Sequence, residues 1–128
     1  MISPAIVAYL GTQSGVTDLV STRMYPTVLP QASTMPAITI TQIDDLRNGT
    51  FAGPDGLPGT LLQLDLWGST KASVNAVYEA VRAALDGMTG TAGDENVQSS
   101  SIESVTETYE DSAKLHRIQV DLRVWWDE

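Results

Sequence analysis

The chain has 128 residues, a formal net charge of −9 and no cysteine. This length fits one domain, and 42% hydrophobic residues are enough for a core that needs no disulfide or metal. The absence of cysteine excludes disulfides, thiolate zinc sites and a cysteine nucleophile. With 16 acidic against 7 basic residues, the sequence argues against an outer surface that grips nucleic acid or an anionic membrane.

Hydropathy and charge distribution indicate whether the chain crosses a membrane or is exported. No apolar run approaches the ~20 residues that cross a bilayer, and the start Met1-Ile2-Ser3-Pro4 lacks the basic residues of a signal peptide. We therefore expect a soluble chain that is not exported. Residues 94–128 hold nine acids and three bases, so one end of the fold should be much more negative than the other.

The start of the chain predicts two short helices and a crossing segment. Ser3 can cap a helix with Pro4 in its first position, and this helix should end near Gly11. Residues 15–22 have helical spacing of apolar side chains and predict a second short turn of helix. The prolines of residues 23–31 exclude a helix and favour an extended segment against the core.

From Pro36 the apolar spacing changes to two, which predicts a strand to about Asp44 and a second strand over residues 60–67. Residues 45–59 lie between these strands and are rich in turn sequences. They predict a long, flexible hairpin arm that contains Asn48-Gly49 and Gly53-Pro54-Asp55-Gly56.

The second half predicts the most regular elements. Ser69 or Thr70 can cap a long amphipathic helix that stops at Gly87, and residues 88–96 predict a loop. Two strands are expected over residues 97–109 and 115–126, with a turn at 110–113.

These elements predict an α+β fold: an antiparallel sheet of two β-hairpins packed against one long amphipathic helix, with a short N-terminal helix. Residues 1–128 should form a single domain, with the flexible hairpin arm at about 45–59. The strands are long for a small domain, and a bare sheet edge is an association site unless something covers it. We therefore expect the protein to self-associate.

The sequence offers little for catalysis. His116 is the sole histidine, and its alternating strand favours a rim or hydrogen-bonded histidine over a catalytic base. Asp44 and Asp45 are neighbours on a strand and point to opposite faces, which favours a solvated strand end over a metal site. There is no Gly-x-Ser-x-Gly elbow and no Gly-Lys-Ser/Thr phosphate loop. We predict no enzyme activity, no metal and no cofactor.

Three stretches carry a family resemblance: the run over residues 16–40, the strand and cap over residues 64–69, and the closing strand over residues 120–125. In the first, Arg23-Met24-Tyr25-Pro26 precedes Leu29-Pro30-Gln31 and Pro36. This arrangement resembles the opening of tail-completion or tail-terminator proteins of long-tailed phages. The Leu64-Asp65-Leu66-Trp67-Gly68-Ser69 run looks like the family's strand that leads into its helix.

The resemblance implies a virion structural protein that forms a ring, typically of six subunits, at the head-proximal end of the tail tube. Such a ring stops tube polymerisation and joins the tail to the head or neck. The implied partners are further copies of the chain, the tail tube protein and a neck or head-completion protein. DNA passes through the lumen without specific binding, no membrane is involved, and assembly takes place in the host cytoplasm.

Two sets of site residues follow as hypotheses. Trp125 and Trp126 lie on opposite faces of one strand, so one should be in the core and the other exposed or in an interface. Arg23, Tyr25 and Pro26 serve either an interface or the anchoring of the crossing segment to the core. The interface set is Arg23, Tyr25, Pro26, Arg47, Phe51, Asp55 and Trp125, and the acids expected to line the lumen are Asp94, Glu95, Glu103 and Glu107.

Two other functions remain open at this point. A neck or head-completion connector of the same virion would share the ring symmetry and the acidic channel. A small intracellular binding domain outside any phage would fit the same pattern of elements.

Overall fold

The structure is a computed structural model and describes residues 2–46 and 59–127. Within these ranges the chain forms three helices and six strands. The helices are α1 (Ile2–Leu10), α2 (Ser14–Val20) and α3 (Lys71–Leu85). The strands are β1 (Met24–Pro26), β2 (Ala37–Leu46), β3 (Gly59–Gly68), β4 (Gly90–Ala92), β5 (Glu95–Glu110) and β6 (Leu115–Asp127).

The strands form one mixed sheet in the order β1-β2-β3-β6-β5-β4, curled like half of a barrel. The β1–β2 pair is parallel, whereas the other neighbours are antiparallel. The predicted fold class is therefore wrong: the chain is mostly β, and its sheet is not two hairpins packed on one long helix. Both hairpins exist, but pairing of β3 with β6 joins them edge to edge, and β1 and β4 extend the sheet at either side.

The two added strands explain the error. Strands β1 and β4 have three residues each, too few to show an alternating pattern. Strand β1 ends at Pro26 within the proline-containing crossing segment, and β4 starts at Gly90 within the predicted loop. Proline and glycine are depleted in strands, so short strands of this composition are easily missed.

The core lies on one face of the sheet. Leu62 and Leu64 of β3 pair with Leu122 and Val120 of β6, and these side chains are fully buried. The buried stripe of α3 covers them, and α1 and α2 complete the same cluster. The helical residues in this cluster are Ile2, Ala5, Ile6, Leu10, Val16, Val20, Val74, Val77, Val81 and Leu85.

Helix α3 begins and ends as its sequence predicts. The Thr70 hydroxyl accepts a hydrogen bond from the Ser73 amide at 3.1 Å and caps the N-terminus. After Leu85 the chain leaves the helix through Gly87, whose φ of +76° is a conformation that glycine adopts without strain.

Strand β5 has a covered half and a free half. Strand β4 pairs with residues 95–97, the Gly87 amide donates to the Ser100 carbonyl (2.8 Å), and the Ile102 amide donates to Asp86 Oδ1 (3.0 Å). Beyond this point no further strand or loop within the described ranges bonds to the outer side of β5. We name residues 103–110 the β5 free edge.

The predicted strands over 36–44 and 60–67 correspond to β2 and β3. In β2 an extra residue, Ile43, interrupts the pairing with β3. Apart from its two ends, the predicted arm at 45–59 lies outside the described residues.

Candidate functional site

The sheet face opposite the helices carries the polar side chains of the central strands. We name it the open face. Its alternate residues are half-buried on β6, where they lie between buried apolar neighbours. Its charged members are Asp44, Asp65, Glu103, Glu110, Arg117, Asp121, Arg123 and Asp127.

Arg117 connects three strands across the open face. Its guanidinium donates from Nε to Asp65 Oδ1 (3.0 Å) and from Nη1 to Glu110 Oε1 (3.2 Å), and it lies 5.3 Å from the ring centroid of Trp67. Burial lowers the pKa of Arg117, but the hydrogen bonds and charges of Asp65 and Glu110 outweigh burial and raise that pKa above its ordinary value. The cation is therefore permanent and holds β3, β5 and β6 together.

Arg123 makes the second connection. Its Nη1 donates to Asp44 Oδ1 at 2.6 Å and to the Gly59 carbonyl at 3.3 Å, and its Nε lies 3.4 Å from Glu103 Oε2. These contacts join β2, β3 and β5 to β6. Asp44 and Glu103 thus share one cation, which neutralises part of their charge within the chain.

The predicted interface residues of the crossing segment lie at the β1 margin of the sheet. Arg23 donates from Nε to the Pro36 carbonyl (3.0 Å) and from Nη2 to the Leu19 carbonyl (3.2 Å). These bonds give Arg23 the anchoring role that the sequence left open beside an interface role. Tyr25 is half-buried and Pro26 is exposed, both on β1. An interface role for the three residues stays a prediction.

Three further residues of the interface set, Arg47, Phe51 and Asp55, lie outside the described residues, and their role stays a prediction.

The two tryptophans of β6 divide as expected. Trp126 is in the core, where its indole nitrogen donates to Thr60 Oγ1 at 2.9 Å. Trp125 is half-buried on the open face and lies over Gly59, where a Cβ would overlap the six-membered ring of the indole. Its interface role stays a prediction.

The four acids expected to line a lumen do not form one cluster. Asp94 and Glu95 lie at the turn between β4 and β5, whereas Glu107 lies twelve positions further along β5, about 40 Å away at ~3.3 Å per residue. Glu103 contacts Arg123, and Glu107 Oε1 is 3.8 Å from Lys71 Nζ. Asp94 and Glu95 have no ion-pair partner among the side chains that the structure describes.

His116 lies at the rim, beside α3. Its ring meets that of Tyr109 edge to face, with centroids 4.9 Å apart, in an open cavity of about 280 Å³ that Lys71 and Glu107 also line. No group of three or more His, Asp or Glu side chains within residues 2–46 and 59–127 could hold a metal ion. In the same ranges, no helix is long and apolar enough to cross a membrane.

The sequence reading missed the two arginine networks and the free half of β5. The arginines were visible as polar members of the β6 alternation, but their partners lie far away in sequence: Asp65 is 52 residues from Arg117, and Asp44 is 79 residues from Arg123. Only the strand order brings these groups together.

A family model and several solved structures match this chain. A chain from the virion of a native gene transfer agent particle superposes with a TM-score of 0.67, covering 99% of this chain and 98% of that chain. The identity is 16%, so this likeness shows a shared fold. The family model of tail completion protein gp17 matches residues 4–127. Among curated proteins no sequence matches the chain.

The family match covers nearly the whole chain and defines the class: this is a virion structural protein of the phage-tail type. The chain belongs to the tail completion protein gp17 family. The resemblance noted in the sequence is thereby confirmed.

Proposed function

We propose that the protein forms a homo-oligomeric ring, of six copies, that caps the head-proximal end of the phage tail tube. The ring stops tube polymerisation and joins the tail to the head or neck. The family match over residues 4–127 carries this proposal. The exposed margins of the sheet support it, because an uncovered strand edge favours association.

Electron microscopy of tail tubes mixed with the purified protein tests the cap. We expect extra density at one end of each tube, and no further growth from that end when free tube protein is added. Tubes without the protein should continue to lengthen. Uncapped tubes that keep growing in the presence of the protein would contradict the proposal.

A neck or head-completion connector of the same virion is the alternative, and the family match favours the tail. Co-purification separates the two: binding to tail tubes supports the cap, and binding only to the capsid portal supports the connector. The family match leaves no support for a binding domain unrelated to phages.

The lumen wall is the second part of the proposal. We place Asp94, Glu95, Glu103 and Glu107 toward a channel in which negative charge repels DNA phosphates, so that the duplex slides without binding. Asp94 and Glu95 should contribute most, because Arg123 and Lys71 partly neutralise the other two.

Replacement of Asp94 and Glu95 together by lysine should make the ring retain duplex DNA at low salt, measured by filter binding. Asp111→Lys in the β5–β6 turn adds positive charge elsewhere and serves as the control. A wild-type ring with a neutral or basic channel would refute the lumen assignment.

The arm at about 45–59 and the interface set complete the proposal. We place Arg47, Phe51 and Asp55 against a neighbouring subunit or tube ring, with Trp125 at the base of the arm on the open face. We place Arg23, Tyr25 and Pro26, at the β1 margin of the sheet, in the same subunit interface. Deletion of residues 47–56 should abolish capping, and a deletion variant that still forms rings and caps tubes would remove this role.

A further inference from the structure

The β5 free edge (residues 103–110) has the chemistry of a pairing site. All residues from Glu103 to Tyr109 are exposed, and Val, Thr and Tyr give the segment high strand propensity. Natural proteins protect such edges with proline, charged side chains, bulges or a very short strand. This segment contains no proline or lysine and continues for eight residues; its bulge lies at its first residue, Glu103, and each of its three glutamates is engaged by a base of the same chain.

Apolar side chains line the free edge on its helix side. Val105 and Tyr109 are 42% and 51% exposed. Beside them, two adjoining cavities of about 280 and 470 Å³ form one groove between α3 and β5, crossed by the Lys71–Glu107 pair. Tyr78 and the buried Ile118 lie at the base of this groove.

A second free edge lies at the opposite margin of the sheet. Strand β1 pairs only with residues 38–40 of β2, and the Thr27 amide donates to the Ile40 carbonyl at 2.9 Å. We name residues 41–44 the β2 free edge, since no strand in the described part of the chain pairs with their outer side. Val28, 69% exposed, and Ile43, 49% exposed, lie beside it.

The distribution of these side chains is informative. Of the residues that the structure describes, the exposed large apolar ones are Val28, Ile43, Val105 and Tyr109. Two lie at one margin of the six-stranded sheet and two at the other. One chain thus presents two different apolar strand edges.

Charge also permits contact between copies at these margins, although the net charge of −9 opposes it elsewhere. On the β5 side, Glu103, Glu107 and Glu110 each contact a base, namely Arg123, Lys71 and Arg117. On the β1–β2 side, residues 24–43 contain no charged residue, and Asp44 at the end of the β2 free edge is paired with Arg123. The two surfaces can therefore approach without placing unpaired carboxylates against each other.

We infer that the β5 free edge of one copy pairs with the β2 free edge of the next copy. The occupant of the groove is thus a second copy of this chain, with Val28 and Ile43 against Val105 and Tyr109. Because the two edges differ, the contact is head-to-tail, and repetition of it closes a ring when the rotation between neighbouring copies divides a full turn. This inference rests on the proposed function and specifies which surfaces build the ring.

Charge insertion tests the contact. Val105→Lys and Ile43→Lys each place a cation at one edge, and each variant should run as a monomer by light scattering and native mass spectrometry where the wild-type protein forms rings. Thr89→Lys, at an exposed position before β4, adds the same charge and should leave the ring intact. Thermal unfolding checks that all three variants fold.

A mixture of the two variants gives a sharper result. The intact β5 edge of Ile43→Lys can still meet the intact β2 edge of Val105→Lys, so the mixture should yield mixed dimers and no rings. Rings from either single variant would overturn the inference while leaving the proposed function standing. If Val105→Lys forms rings but no longer binds tail tubes, the inference is also overturned, because the groove would then be the binding site of the tube protein.

Cross-linking provides a readout that does not depend on disruption. The chain lacks cysteine, so Thr106→Cys and Gln42→Cys introduce unique thiols at the two edges. With a short bis-maleimide, the double variant should give a ladder that ends at the ring, and the mixed single variants should give only mixed dimers. Self-cross-linking of Thr106→Cys alone would overturn the inference. A wild-type protein that stays monomeric even with tail tubes would overturn both this inference and the proposed function.

Discussion

The two halves of strand β5 have similar sequences but different neighbours. Residues 95–102 lie beside β4 and the end of α3, which satisfy the outer backbone groups of Ser100 and Ile102. Residues 103–110 have β6 on one side and no such cover on the other within the described chain. Both halves are rich in serine and threonine.

The difference between the halves indicates that residues 95–102 contribute to folding and that residues 103–110 are available for association. In the covered half, Val97 and Ser100 are buried and bond or pack against the helical layer. In the free half, Val105 lies on the same helix side of the sheet as Val97 but is 42% exposed, and Ser104 lies on the open face opposite Asp121 and is exposed. Substitutions in the first half should therefore change folding, and substitutions in the second half should change association.

The largest effect is expected at the attachment of the free half. Arg117→Met removes the cation that holds Asp65 and Glu110, and leaves Asp65, 6% exposed, without its ion-pair partner and with only the hydrogen bond from Gln63 Nε2 at 3.0 Å. Loss of one member of a buried pair costs about 3 kcal/mol. Urea unfolding followed by tryptophan fluorescence measures the loss. The matched variant Arg82→Met breaks the exposed pair with Glu79 and should unfold at the wild-type urea concentration.

A matched pair of valines compares the two halves directly. Val97→Ala removes buried methyl groups and should lower the free energy of unfolding by about 2 kcal/mol. Val105→Ala, at a position 42% exposed, should change it by less than about 0.5 kcal/mol. Equal losses in urea unfolding would show that the free half is covered in the monomer.

A serine pair compares a buried hydroxyl on the helix side of the covered half with an exposed hydroxyl on the open face of the free half. Ser100 donates to the Leu85 carbonyl and accepts from the Met88 amide at 3.1 Å. Ser100→Ala leaves the Met88 amide and the Leu85 carbonyl with only their mutual hydrogen bond of 3.3 Å and should cost about 1 kcal/mol. Ser104→Ala removes a bond from an exposed hydroxyl to Asp121 and should cost a few tenths of that in the same unfolding assay.

The smallest effect is expected from alkaline pH. The neighbouring carboxylates raise the pKa of Arg117, so its contribution is present below the ordinary arginine pKa and is lost only as the pH rises through the higher folded value. The difference in unfolding free energy between wild type and Arg117→Met should therefore be constant from pH 7 to pH 10. A decline across this range would assign the effect to another group.

The sequence was sufficient for elements with a long, regular pattern. The stripe of α3 and the strict alternation of β6 predicted their positions closely, and Thr70 was one of two expected caps. It was insufficient for β1 and β4, which are stabilised by neighbouring strands and not by their own composition. Parallel pairing of β1 with β2 and pairing of β3 with β6 depend on tertiary packing, which local periodicity does not encode.

The candidate site was less predictable for the same reason. The separation of Trp125 from Trp126 follows from alternation alone, because neighbouring residues on a strand face opposite sides. The partners of Arg123 lie on three other strands, so no spacing in the sequence reveals them. Val105 is exposed because the cover provided by the end of α3 reaches only as far as Ile102 of β5. This limit is a property of the whole fold.

The contact between Gly59 and Trp125 makes these two positions a coupled pair. An alanine at 59 requires the indole at 125 to move or to be replaced by a smaller side chain, so the effect of a change at 59 depends on the residue at 125. The point at which β3 begins is thereby fixed by a partner 66 residues away.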